Sequence, residues 1–186
     1  MTEIDDRIRL IADSILLEKE FEDILAQITS RHGETLHPIA VNGLSDGARA
    51  VFYAAIIRKT AGGRPALIIV PDEKEGLKLS NALGELSVKT LTYPLRDFIF
   101  HKITSSHEYE HERLRALSAL ACASEECGAI ITTPDALMQL TMPSETLRND
   151  TMIIDRDEPL DMTDLTARLE AGGYVRTDLV DGTGQY

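Results

Sequence analysis

Apolar residues recur at helical spacing from the start of the chain: Ile8, Ile11, Ile15 and Leu16, then Phe21, Ile24, Leu25 and Ile28. This is the period of amphipathic helix through residues 1–30. The pattern then changes. His37-Pro38-Ile39-Ala40-Val41 reads as a short buried strand, and Val51, Phe52, Ala55 and Ile56 resume helical spacing across residues 48–60. After the turn Gly62-Gly63-Arg64-Pro65, the run Ala66-Leu67-Ile68-Ile69-Val70 is continuously apolar, as expected of a strand covered on both faces. A helix opening at Pro71-Asp72, with Leu77, Leu79, Leu83 and Leu86, leads to a strand at Val88–Thr92. A second helix from His107 to Cys122, with Leu114, Leu117 and Leu120, leads to a strand at Ala129–Thr133, and Pro134-Asp135 starts a short helix through Leu140. Strands alternating with helices at this spacing predict an α/β fold, a parallel sheet with helices on both faces.

The alternation breaks down after Thr141-Met142-Pro143-Ser144. Beyond that point the pattern gives a short strand at Thr151–Ile154, a helix at 162–171 closed by Gly172-Gly173, and a strand from Tyr174 to Val180. A unit of this size buries little core alone. Residues 1–142 are therefore expected to form the α/β domain with its N-terminal helical segment. Residues 143–186 are expected to be the opening of a second, small α+β module, cut short.

Composition narrows the function. At 186 residues, 43% hydrophobic, the chain has material for one core, or one core and a small appendage. A formal charge of −12 opposes non-specific binding to DNA by this chain alone, because neutralising phosphates needs clustered Lys and Arg. Met1-Thr2-Glu3-Ile4-Asp5-Asp6 lacks the basic-then-apolar form of a signal peptide. No apolar run approaches the roughly 18 residues that span a bilayer. A cytoplasmic protein with no membrane partner is expected. Cys122 and Cys127 are too far apart for C-x-x-C chemistry and read as helix-end packing.

The most informative stretch is Asn42-Gly43-Leu44-Ser45-Asp46-Gly47-Ala48-Arg49-Ala50. It sits between the predicted 37–41 strand and the helix after it, where a phosphate-binding loop of pattern G-x-x-x-x-G-K-[ST] would lie. Laid on Gly43, that pattern meets Ala48 for its second Gly, Arg49 for its Lys and Ala50 for its hydroxyl. Ala50 has no oxygen to offer Mg, and Ala48 adds a methyl where backbone would approach phosphate. Arg49 keeps the charge, but as a planar fork rather than a point charge. Gly43, Gly47 and Arg49 thus outline a degenerate loop, at which ATP turnover is not expected, and no cofactor is expected in this chain. The alternative is an ATP-binding helicase or NTPase-type domain using Arg49 in place of the loop Lys.

Two other patterns are set aside. His107-Glu108-Tyr109-Glu110-His111 matches H-E-x-x-H, the zinc-protease helix. It falls in an exposed first turn among acidic neighbours, so helix-start capping by Ser106 and acidic side chains accounts for it better. Asp155-Arg156-Asp157-Glu158 reads as a solvated charge run.

Taken in order, these stretches resemble the bacterial transcription-repair coupling factors. The residues that carry the resemblance are Asn42–Ala50, Leu67-Ile68-Ile69-Val70-Pro71-Asp72, Tyr93-Pro94, Glu110–Arg115 and Ile131–Leu137. Gly173–Val180 followed by Gly182–Tyr186 is similar to the family's Gly-Tyr…Asp-x-Val…Gly-x-[Phe/Tyr] segment, while its subsequent Arg-Gly-Gly-Ile-Leu-Asp-type run is missing here. The resemblance implies an N-terminal, UvrB-like module with a helicase-like domain that lost ATP binding. It implies an inserted domain that recruits the nucleotide-excision-repair subunit UvrA to stalled RNA polymerase. ATP, Mg and DNA translocation are then expected only in a C-terminal translocase of the parent protein, with RNA polymerase and DNA held by its other regions. Arg176, with Tyr174 and Asp178 beside it, matches the family's partner-binding segment, and a second family Arg lies beyond Tyr186.

Overall fold

The computed structural model describes residues 18–29, 38–60, 64–96, 108–121, 127–152, 154 and 159–186. They divide into two compact units, Met1–Thr141 and Met142–Tyr186. In the first, helix α1 (Lys19–Thr29) precedes α2 (Asp46–Thr60), β1 (Ala66–Ile69), α3 (Glu73–Glu85), β2 (Thr90–Tyr93), α4 (Glu108–Ala121), β3 (Ala129–Thr132) and the single turn α5 (Pro134–Leu137). The strands form a parallel sheet of order β1-β3-β2, in which Leu67, Ile130 and Leu91 stand in register, as do Ile69, Thr132 and Tyr93.

β3 is central and all four of its residues are buried. One face of the sheet meets α2 and α3 through Ala50, Ala54, Ile57, Leu83, Leu86, Ala129 and Ile131. The other meets α4 through Tyr93, Ala116, Ala119 and Ile130. The fold is thus the expected α/β sheet with helices on both faces. α2 is buried on two sides: Ala50, Ala54 and Ile57 face the sheet, while Phe52 and Ala55 join Phe21 of α1. Its small alanines let helix and sheet approach closely. The Phe21 and Phe52 rings meet edge to face, 5.6 Å apart at 87°.

Local chemistry sets the boundaries. Asp72 accepts the Glu75 amide at 2.8 Å and caps α3, while Thr133 accepts from Ala136 at 3.3 Å and Pro134 opens α5. Ser87 takes φ 58 just past α3. A Cβ on Gly128 would stand 2.9 Å from Val88 Cγ1 and 3.3 Å from the Lys89 carbonyl, so the entry to β3 requires glycine. Arg113, 7% exposed, clasps the carboxyl end of the sheet. It donates to Pro94 O at 2.7 Å, to Gln139 Oε1 at 3.1 Å and to the Tyr93 hydroxyl, with its guanidinium 4.0 Å from the Tyr93 ring centre.

β1 is an edge. Ala66 and Val70 donate to Gly128 and Thr132 of the β3 segment. Alternation therefore turns the N–H and C=O of Leu67 and Ile69 outward, and their side chains are 53% and 55% exposed.

Among the described residues, three expected strands are not formed. Residues 38–41 run irregularly beside α1 and α2, and His37 lies outside the described residues. Pro38 has no N–H for a ladder, and Ile39 and Val41 line a cleft with residues of α1 and α2. In the second unit Thr151 ends helix α6 (Ser144–Asp150), its amide bonding Leu147 O at 2.9 Å, which takes the backbone away from a strand at 151–154. Ile153 and the charge run 155–158 lie outside the described residues. Helix α7 (Met162–Ala171) is capped by Asp161 and closed at Gly172-Gly173, Gly173 having φ 84. Beyond it, residues 174–180 make no strand, because the only ladder contact among the described residues there is the bridge Val175–Gln185.

Candidate functional site

The loop before α2 is the place where a nucleotide phosphate would sit, and its atoms define what it can hold. Gly43 takes φ 84 with open space around an added Cβ, so it serves the turn rather than a close approach. Ser45 starts α2: its hydroxyl accepts from the Ala48 amide at 3.4 Å and its carbonyl from the Arg49 amide at 2.9 Å. A helix N-terminus offers an anion its unused amides and its positive dipole end. Here Ser45 takes up one of those amides, and Asp46 places a carboxylate in the first turn.

Arg49 turns back to Asp46 and pairs with it. The Asp46 hydrogen bond and its charge hold the guanidinium above its ordinary value, with Glu75 adding to the pull. Lys78 of α3 is likewise raised, first by its bond to Glu75 at 2.8 Å, with Asp46 and Asp72 contributing. Arg49 and Lys78 thus each have a carboxylate partner on their own helix, Asp46 and Glu75. Ala50, the position for a Mg-binding hydroxyl, is buried in the core under the sheet. Gly47 lies in open space in the first turn of α2.

Beside the loop opens a cleft of about 560 Å³ between α1, residues 39–44 and α2. Ile24, Ile28, Ile39, Val41, Leu44 and Ile56 make its apolar wall, with Asn42 and Arg49 at one side. Sequence reasoning missed it because residues 37–41 were expected in a strand, and 38–41 form none. The Arg113 clasp was also missed; its signal is an arginine at i and alanines at i+3 and i+6 on the buried face of α4.

The second predicted site lies in the smaller unit. Tyr174, Arg176 and Asp178 occur together on one segment after α7. Its backbone is tied to the end of the chain through Val175 N to Gly184 O at 2.9 Å and Thr177 N to Tyr186 O at 3.0 Å. The Tyr186 hydroxyl donates to Glu170 at 2.8 Å. Desolvation first, then Glu170, raise that phenol, against a lowering by Arg176. Tyr174, Val175, Leu179 and Val180 leave an exposed apolar surface around Arg176.

Of the H-E-x-x-H pattern, His107 lies outside the described residues, and Glu110 pairs with Arg96 at 3.0 Å. No three metal-ligating side chains converge among the described residues. Cys127 is buried, its thiol donating to Ala129 O at 3.3 Å and pushed up by burial.

These elements define an α/β domain built on a parallel sheet. No protein-family model matches the chain. It is similar to the transcription-repair-coupling factor of Bacillus subtilis, 27% identical over 171 residues, covering 90% of this chain and 14% of the relative. It is also similar to the transcription-repair-coupling factor of Haemophilus influenzae, 28% identical over 122 residues, 64% of this chain and 10% of the relative. The chain is thus a sequence relative of a small part of these DNA-repair factors, in agreement with the resemblance read from its motifs. No described helix is long and apolar enough to cross a membrane.

Proposed function

We propose that this chain is the non-catalytic, N-terminal part of a cytoplasmic transcription-coupled repair factor and that its smaller unit recruits UvrA to stalled RNA polymerase. In this reading the sheet domain is a helicase-like fold kept for its shape, and its loop is a degenerate phosphate loop. ATP, Mg and translocation on DNA belong to other parts of the parent protein. The observation that carries the reading is the pairing of Arg49 with Asp46. The cation in the loop's Lys position already has its carboxylate, and the acidic groups around it repel a nucleotide triphosphate. Sequence similarity to two repair factors supplies the context.

The partner-binding residues in this reading are Arg176, Tyr174 and Asp178. An exposed arginine among apolar and aromatic side chains has the composition of an interface anchor. Two measurements test the proposal. Calorimetry with ATP and Mg is expected to show no binding; micromolar binding lost on Arg49→Ala would establish the rival nucleotide-binding reading. Capture of UvrA by a version extended past Tyr186 is expected to weaken by at least roughly tenfold on Arg176→Glu, the size expected for an anchoring charge. Unchanged capture removes Arg176 from the site.

A further inference from the structure

The sheet is left unfinished at β1. Among the described residues β1 pairs with β3 alone. Ala66 and Val70 donate their amides to the β3 segment, so the outward amides and carbonyls are those of Leu67 and Ile69. Leu67 stands in register with Ile130 and Leu91, on the face that α4 covers. The cluster beneath α4 takes Ile130, Leu91 and Tyr93 and stops short of Leu67 and Ile69, which remain more than half exposed. Open hydrogen-bonding groups and open apolar side chains thus coincide on one four-residue strand.

The residues flanking this edge select a second copy as its occupant. An antiparallel pairing about a twofold axis at Ile68 sets Leu67 opposite Ile69 of the other copy and Ala66 opposite Val70. Leu67 and Ile69 are then the hydrogen-bonded pairs of the ladder, and every outward amide and carbonyl of both residues finds a partner. Their four side chains meet as cross-strand neighbours on the α4 face. Pro65 falls opposite Pro71 at each end, where neither has an N–H, and the ladder stops. One residue further out, Arg64 falls opposite Asp72, twice over by symmetry. Both are exposed, and Asp72 is still extended at φ −151, ψ 167. Asp72 accepts the Glu75 amide as the cap of α3, and its pull on Lys78 is weaker than that of Glu75. Arg64 forms no ion pair among the described residues. Slipping the register by two residues sets a proline opposite Leu67 or Ile69 and parts Arg64 from Asp72. Apolar pairing, hydrogen bonding and charge therefore agree on one register.

We infer that β1 is a self-recognition edge, through which two copies of this chain join as an antiparallel twofold dimer closed at both ends by Arg64 and Asp72. A contact this short belongs to the small, transient class of interfaces. The inference does not rest on the UvrA reading, which concerns the other unit.

The test follows the whole chain by analytical ultracentrifugation and amide exchange from roughly 10 μM to 1 mM, the range in which small interfaces act. A monomer–dimer equilibrium with no larger species is expected. The amides of Leu67 and Ile69 are expected to exchange more slowly as concentration rises, while those of Ala66 and Val70, already bonded to the β3 segment, keep their rates. Arg64→Asp turns both end pairs into repulsions and is expected to weaken the dimer by roughly tenfold at low salt, and by less at high salt. Asp72→Asn keeps a cap on α3 and is expected to weaken it by roughly threefold. The edge is overturned as a dimer surface if the chain stays monomeric at the highest concentration, or if a dimer forms without slowing Leu67 and Ile69. It is also overturned if Arg64→Asp dimerises as well as the parent chain, or if species grow beyond the dimer. Protection of Leu67 and Ile69 in a monomeric chain by an added extended valine-threonine peptide would assign the edge to a foreign strand and likewise overturn it.

Discussion

β3 and α7 illustrate two ways of holding a chain together. Every residue of β3 is buried, between α2 and α3 on one side and α4 on the other. α7 has no buried residue, and Leu147 is the one buried side chain among the described residues of the smaller unit. The sheet unit is stabilised by layers that remove apolar surface from water. The smaller unit is held by local bonds: the Asp161 cap, the Gly172-Gly173 closure, the Val175–Gln185 bridge and the Tyr186–Glu170 bond. Such bonds define a shape but contribute little net stability each. A surface that leaves Tyr174, Val175, Leu179 and Val180 exposed is suited to being completed by a partner.

The contrast can be sharpened first where burial is deepest. Leu83 is fully buried, and Leu83→Ala is expected to destabilise the sheet unit by about 3 kcal/mol in urea denaturation. A loss below about 1 kcal/mol would mean that the layers are less tightly packed than the burial implies. Next, Gly128→Ala forces a methyl against Val88 and the Lys89 carbonyl and is expected to destabilise by about 2 kcal/mol. Leu165→Ala, on the half-buried side of α7, is expected to change stability by about 1 kcal/mol or less and to leave amide exchange in β3 untouched. If β3 exchange accelerates, the two units are not energetically separate.

The smallest effect concerns Cys127. Burial favours its neutral thiol, so the stabilisation is complete below the unfolded thiol's value of about 8.5 and fades as pH rises through the higher folded value. In a Cys122→Ser background, alkylation of Cys127 is expected to be slower than that of free cysteine and to rise only at higher pH. A free-cysteine rate at neutral pH would show that the core around β3 opens readily.

Much of the sheet unit was legible because its elements are periodic. The apolar run at 66–70 and the leucines of the 73–85 helix specify their own element type. That Ala50 brings no hydroxyl and Arg49 an arginine to the loop could be read directly from the sequence. The Asp46 pairing was not foreseen, although an Asp three residues before an Arg on a helix is its sequence signature. The failures fell where strand character depends on a neighbour. Ile39, Ile154 and Val175 have strand-favouring side chains, yet a strand exists only where another strand supplies its hydrogen bonds. Alternating residues could not reveal whether that partner was there.

The outward side of β1 has a practical consequence. Leu67 and Ile69 present paired donors and acceptors beneath an oily surface, a template that accepts an extended backbone. Two copies that join β1 to β1 about a twofold use up both edges, so this route closes at a dimer. In concentrated solution the chain is expected to pair through this edge, and a single lysine at position 67 or 69 should keep it dispersed.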